Sequence, residues 1–168
     1  MKNSFLRLLC FILVTPVFLF AFTSIPDKVN FSGDWKLNES KSELGQFANF
    51  ATQSIKSQQS DSAINISRTA ATFEGSMSTS TETLTFDGKE CESSLFGNSK
   101  KKATLKWAED GQTFSITYTL NLDFNGQAME VTGTETWTLS DGGKTLISIN
   151  NSSSSFGDMV VKSVYEKQ

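Results

Sequence analysis

The chain has no histidine and only two cysteines among its 168 residues. Without histidine, Ser-His-Asp and Cys-His nucleophiles and the usual zinc sites are excluded in one step. Cys10 falls within an apolar N-terminal run, so Cys91 is left alone and no internal disulfide can form. Cys91 reads as a small buried hydrophobe rather than a reactive thiol, because no imidazolium is present to lower its pKa. No Gly-x-Gly-x-x-Gly or phosphate-loop pattern occurs. Basic residues are few. Of 15 Lys and Arg, Lys2 and Arg7 precede the apolar run, leaving 13 against 18 Asp and Glu, a net charge of −5. That balance argues against nucleic acid and against anionic lipid headgroups as partners. Lys100-Lys101-Lys102 is the one basic run, and at a loop-to-strand entry it reads as a set of solvated gatekeeper charges. Asp34, Glu74, Asp123, Glu130 and Glu135 are available as carboxylates, but no cleft signature pairs them for glycosidase-like chemistry. Neither an enzyme nor a cofactor or metal is expected.

What is present is alternation. From Thr113 to Phe124 the residues Phe114, Ile116, Tyr118, Leu120, Leu122 and Phe124 alternate with polar ones. A helix would scatter those apolar groups around its axis. At ~3.4 Å per residue the strand is roughly 40 Å long, as in a small barrel. Asp110-Gly111 precedes it and Asn125-Gly126 follows it, both preferred pairs for two-residue hairpin turns. Counting from those turns sets Trp107 opposite Phe114, Leu105 opposite Ile116 and Ala103 opposite Tyr118. On the other side Leu122 meets Met129, Leu120 meets Val131, Tyr118 meets Gly133, Ile116 meets Glu135 and Phe114 meets Trp137. Every apolar residue of the three strands then shares one face, which a slip of one residue would destroy. Trp107, Phe114 and Trp137 form an aromatic row, and Tyr118 lies over the small neighbours Ala103 and Gly133.

Residues 1–24 read as a secretory signal peptide: Lys2 and Arg7, an apolar run from Leu8 to Phe22, then Ala21, Thr23 and Ser24 as small residues around the cleavage point. An uncleaved anchor is the alternative, but the run is interrupted by Pro16 and is short for a span of ~20 residues. Cys10 lies too early, after Leu9, to be a lipidation site. Residues 25–168 are one domain with enough chain for a sizeable core. The protein is therefore expected to be exported, to the periplasm or beyond, without stable membrane insertion after cleavage, and to be a monomer.

Elsewhere Leu44, Phe47, Ala48, Ala51 and Ile55, with Phe50 beside them, recur at helical spacing between Ser40 and Gln59 and predict a short amphipathic helix. Ala63 to Thr69 is a strand, Phe73 to Ser80 a weak strand or loop, and Glu82 to Phe86 a better strand. The Asp87-Gly88 turn is expected to return the chain through Glu90 to Phe96 and to set Cys91 opposite Leu84. Thr145 to Asn150 is a strand, Asn151 to Ser155 a low-complexity loop, and Met159 to Glu166 the final strand. The fold class is therefore all-β: an antiparallel up-and-down barrel of eight to ten strands with a short helix after the first. An open sandwich is the competitor, because sequence does not show whether the first and last strands pair.

Two charges fall in apolar phase. Arg68 follows Ile64 and Ile66, and is the one arginine after the leader; Glu135 interrupts the apolar face of its own strand. Either they form an inward-facing polar pair that orients a ligand head group, or Arg68 lies exposed at the rim while Glu135 pairs with a lysine or water. The second reading is preferred, since rim positions tolerate charge and a buried ion is costly unless paired.

The stretch Asn30-Phe31-Ser32-Gly33-Asp34-Trp35-Lys36-Leu37, with its Gly-x-Trp, resembles the first strand of the lipocalin and fatty-acid-binding superfamily. Phe31 to Ser42, with Trp35-Lys36-Leu37-Asn38 and Lys41-Ser42, is similar to the lipocalin-like proteins secreted by bacteria, and the chain ends on Val164-Tyr165-Glu166-Lys167. The resemblance implies a lipocalin-like barrel whose bottom Trp35 closes, and a helix after the first strand serving as a portal lid or a plug. The Thr-Asp-Tyr motif, the late Arg that covers the tryptophan and the Arg-x-Tyr carboxylate grip are missing; Lys162 and Tyr165 are the nearest substitutes.

Two functions follow. As a carrier, the barrel holds one small apolar molecule or lipid, lined by Phe47, Phe50, Trp107, Phe114, Ile116, Tyr118 and Trp137, with Arg68 or Glu135 polar at the edge. As an interaction module, those side chains fill the core, and the loops bind a protein or glycan. The resemblance favours the carrier.

Overall fold

The computed structural model describes residues 27–72, 75–95, 99–124 and 127–168. Residues 1–26, which include the expected signal peptide, lie outside them, as do Phe73, Glu74, Phe96, Gly97, Asn98 and the pair Asn125-Gly126 expected to form a hairpin turn. The described residues form ten strands: β1 (Gly33–Leu37), β2 (Thr52–Gln59), β3 (Ala63–Ala71), β4 (Met77–Thr85), β5 (Cys91–Ser94), β6 (Lys100–Trp107), β7 (Thr113–Phe124), β8 (Gln127–Ser140), β9 (Thr145–Ser154) and β10 (Gly157–Lys167). They form one antiparallel sheet in the order β4-β3-β2-β1-β10-β9-β8-β7-β6-β5. The first and last strands pair, Trp35 with Lys167 and Leu37 with Tyr165, which decides for a barrel over an open sandwich. Among the described residues no ladder joins β4 to β5, so the barrel is nearly closed, with a seam there.

The register of β6, β7 and β8 is the one set by the hydrophobic pattern: Trp107–Phe114–Trp137, Leu105–Ile116–Glu135 and Ala103–Tyr118–Gly133 are cross-strand rows. The turn before β7 is longer than two residues. Ala108 N–H donates to Thr113 O at 2.9 Å and Gly111 N–H to Ala108 O at 3.1 Å, with Gly111 at φ +66°. The aromatic row gathers around Phe31, which lies 4.6 Å from the Phe114 ring, 5.9 Å from Trp107 and 6.0 Å from Trp137, centroid to centroid. Phe31, Phe114, Trp137, Ile64, Ile66 and Ile116 have no exposed surface, so this half of the barrel is packed solid. Tilted and edge-on ring pairs add about 0.5–1.5 kcal/mol each beyond their burial.

Trp35 is buried beneath that layer, and its Nε1 donates to Ser57 Oγ at 3.0 Å. In place of a late arginine, Lys167 lies over its ring, with Nζ 5.1 Å from the centroid.

Three expectations are corrected. The helical stretch is confined to two 3-10 turns, Glu39–Lys41 and Gly45–Phe50, and Ile55 belongs to β2. Ser57 in apolar phase hides the alternation there; inside, it is held by Trp35 and by its own bond to Phe31 O at 2.5 Å. The Asp87-Gly88 turn does not build a hairpin. Asp87 Oδ1 accepts from the Thr85 hydroxyl and the Lys89 N–H, and Cys91 pairs with Ala103 on β6 instead of facing Leu84. The serine-rich stretch to Ser154 is strand, because the long β8 offers a partner for each residue, Ser152 lying opposite Gly133 and Ser154 opposite Val131.

Candidate functional site

Above the packed layer the interior turns polar. Arg68 on β3 points inward in the same phase as Ile64 and Ile66. Its Nη1 donates to Glu82 Oε1 on β4 and its Nη2 to Glu135 Oε2 on β8, each at 2.8 Å. Lys101 on β6 reaches both oxygens of Glu82, at 2.9 and 2.8 Å. Glu135 Oε1 accepts from Trp137 Nε1 at 2.6 Å and from Ser148 Oγ at 2.8 Å. Arg68, Glu82, Lys101 and Glu135 are at most 15% exposed, so the reading of Arg68 as an exposed rim residue is overturned. Burial is tolerated because each charge has an opposite partner in hydrogen-bond contact.

The same contacts set the protonation states. Burial opposes the charge on Arg68, but Glu135 and Glu82 overcome it and hold the guanidinium above its ordinary range. Burial likewise works against an ionised Glu135, and Arg68 and Lys101 outweigh it, so the carboxylate titrates below its usual value. Lys101 is pushed down by burial and by Arg68, with Glu82 and Glu135 compensating in part. Glu135, held ionised, is poorly suited to act as a general acid.

Beside this network lies a cavity of about 280 Å³, walled by Phe50, Ala51 and Thr52 at the start of β2, Ser148 and Asn150 on β9, and Met159, Val161, Ser163 and Tyr165 on β10. Arg68 and Glu135 complete its wall. A smaller hollow of about 50 Å³ lies on the other side of Arg68, next to Glu82 and Lys101. Larger hollows of about 610 and 620 Å³ are lined mainly by outward-facing Ser, Thr and Lys side chains of the sheet. Tyr118 donates to Asn150 Oδ1 at 2.8 Å. Burial raises the pKa of Tyr118, and it pushes Tyr165 up to about 12. No group of three or more His, Cys, Asp and Glu suited to a metal occurs among the described residues.

Of the residues singled out from the sequence, Phe50, Arg68 and Glu135 meet at the cavity, and Tyr118 is one hydrogen bond removed from it through Asn150. Phe114, Ile116 and Trp137 are fully buried in the packed half, and Trp107 stands at its margin against Phe86 and Phe31. None of the four lines the cavity; Trp137 reaches its wall through its hydrogen bond to Glu135. Phe47 lies in the Gly45–Phe50 turn. Sequence reasoning missed Glu82 and Lys101. The signal was phase: Glu82 is two residues from buried Leu84, and Lys101 two from buried Ala103. Reading the three lysines as one solvated run concealed it.

No family model and no curated protein matches the sequence. The structure is similar to that of zebrafish ileal bile acid-binding protein, solved in complex with cholic acid, at a TM-score of 0.53 and 16% identity over 82% of this chain and 98% of that one. At that identity the likeness establishes the fold: an antiparallel up-and-down barrel of the lipocalin and fatty-acid-binding type.

Proposed function

We propose that this chain is a non-catalytic carrier that holds one small amphipathic molecule between Phe50 and the Arg68–Glu135 pair. The observation that carries the reading is the cavity itself, a hollow of about 280 Å³ above a solidly packed aromatic half. Its wall is mixed: Phe50, Ala51, Met159 and Val161 offer apolar surface, while Ser148, Asn150, Ser163 and Tyr165 offer hydrogen bonds. That pairing suits a ligand with an apolar body and a polar head. The shared fold with a protein solved with cholic acid supports the reading by analogy. Phe50, Arg68 and Glu135 are the contacts, and Trp107, Phe114, Ile116 and Trp137 belong to the packed half and its margin. The apolar leader supports export to the periplasm or the extracellular space, where the domain acts as a monomer without nucleic acid or membrane partners.

Titration of the domain spanning residues 25–168 with Nile red, a neutral apolar dye, tests the carrier role. One saturable site is expected, lost in Val161→Trp on β10 or Ala51→Trp just before β2, each of which fills the cavity from its wall, with the near-ultraviolet circular dichroism retained. Absence of dye binding, or undiminished binding in both folded variants, points instead to a filled barrel that acts through its loops.

A further inference from the structure

We infer that the cavity takes an uncharged molecule with a hydroxyl-type head group and discriminates against carboxylates. This rests on the carrier reading above and adds the class of ligand. The buried network holds two cations, Arg68 and Lys101, and two anions, Glu82 and Glu135, so its charge is balanced without a ligand. The guanidinium at the cavity wall already faces a carboxylate on each of its terminal nitrogens, both at 2.8 Å. An arriving carboxylate meets Glu135 as readily as Arg68 and leaves the interior with one unmatched negative charge, which a low-dielectric site penalises. An arriving ammonium leaves one unmatched positive charge.

A neutral head meets complementary partners. Ser148 Oγ gives its proton to Glu135, so it can only accept from a newcomer. Asn150 Oδ1 accepts from Tyr118, so its amide nitrogen is the end that donates. One hydroxyl, which both donates and accepts, satisfies the two together. Both residues line the cavity beside Glu135.

Competition of octanol and octanoate against Nile red at neutral pH tests the inference, since the two share an apolar body and differ in head charge. Octanol is expected to displace the dye, and octanoate to be weaker by about tenfold or more. In Glu135→Gln the interior gains a net positive charge, and the ratio is expected to move toward octanoate. Near-ultraviolet circular dichroism of the buried aromatic side chains shows whether that variant keeps its fold, and Glu82→Gln makes the same charge change from the far side of Arg68. Equal or tighter binding of octanoate by the unmodified protein overturns the inference and leaves the carrier role standing. Failure of octanol to displace a bound dye, or an unchanged ratio in a folded variant, overturns it as well. Failure of the dye itself to bind overturns both.

Discussion

Arg68 on β3 and Glu135 on β8 meet inside the barrel, Nη2 to Oε2 at 2.8 Å, although 67 positions separate them in the chain. Glu82 takes the other terminal nitrogen of Arg68, and Lys101 takes Glu82, so four strands are tied across the interior by one alternating row of charges. Such a row adds less to net stability than its Coulomb energy suggests, because each ion leaves water. Its members are costly to remove singly.

Arg68→Met leaves two buried carboxylates without their shared partner. It is expected to lower unfolding stability by about 3–5 kcal/mol, and Arg68→Met with Glu135→Gln by less than the sum of the two single changes. Denaturant unfolding measures both. A loss below about 1 kcal/mol, the range of exposed pairs, contradicts the buried network.

The three consecutive lysines carry their own control. Lys100 and Lys102 are 56% and 47% exposed in their side chains, whereas Lys101 is 9% exposed. Lys101→Met is expected to cost about 1–3 kcal/mol, and the same change at Lys100 or Lys102 less than about 0.5 kcal/mol. Equal effects at all three positions contradict the inward placement of Lys101.

Gly133 lies beneath Tyr118. A Cβ there comes within 2.6 Å of the Tyr118 ring and 2.8 Å of the Asn151 carbonyl oxygen, and backbone cannot yield as a side chain can. Gly133→Ala is expected to destabilise by about 1–3 kcal/mol through overpacking, read from the shift of the denaturation midpoint. A neutral substitution contradicts this register.

The chain has two tyrosines, and both are inward-facing. Burial raises the pKa of each, that of Tyr165 to about 12. The unfolded chain releases these protons near pH 10 and the folded one later, so stability present below pH 10 is lost as pH climbs; for Tyr165 alone this is roughly 2–3 kcal/mol. At the acid end burial opposes ionised Glu135, but Arg68 and Lys101 win and hold its pKa down. Its contribution is therefore present above roughly pH 4.3 and lost as pH falls through the lower folded value. Near-ultraviolet absorbance titration of the folded protein is expected to show both tyrosines ionising late. A midpoint near that of free tyrosine contradicts their burial.

Much of this was legible in the chain. Trp107, Phe114 and Trp137 fall into one row because alternation on β7 leaves one register that keeps apolar groups on one face. Arg68 and Glu135 stood out for the same reason, as charges in apolar phase. Their inward pairing was one of two readings the sequence offered and not the preferred one, because it depends on closure of the barrel through β1 and β10, which no local pattern encodes. Ser57 and Ser152 concealed strand segments because serine in an inward position breaks the apolar signal, although each is buried in the sheet. Lys101 was concealed by Lys100 and Lys102, which do face water, and Glu82 by the polar Ser and Thr residues around it.

Native mass spectrometry of the domain spanning residues 25–168, purified from its own cells and then extracted with organic solvent, tests the carrier role most directly. The account predicts one bound small molecule that leaves on denaturation and is recovered in the extract as a neutral amphiphile. A mass equal to that of the bare chain, together with no uptake of Nile red, contradicts it.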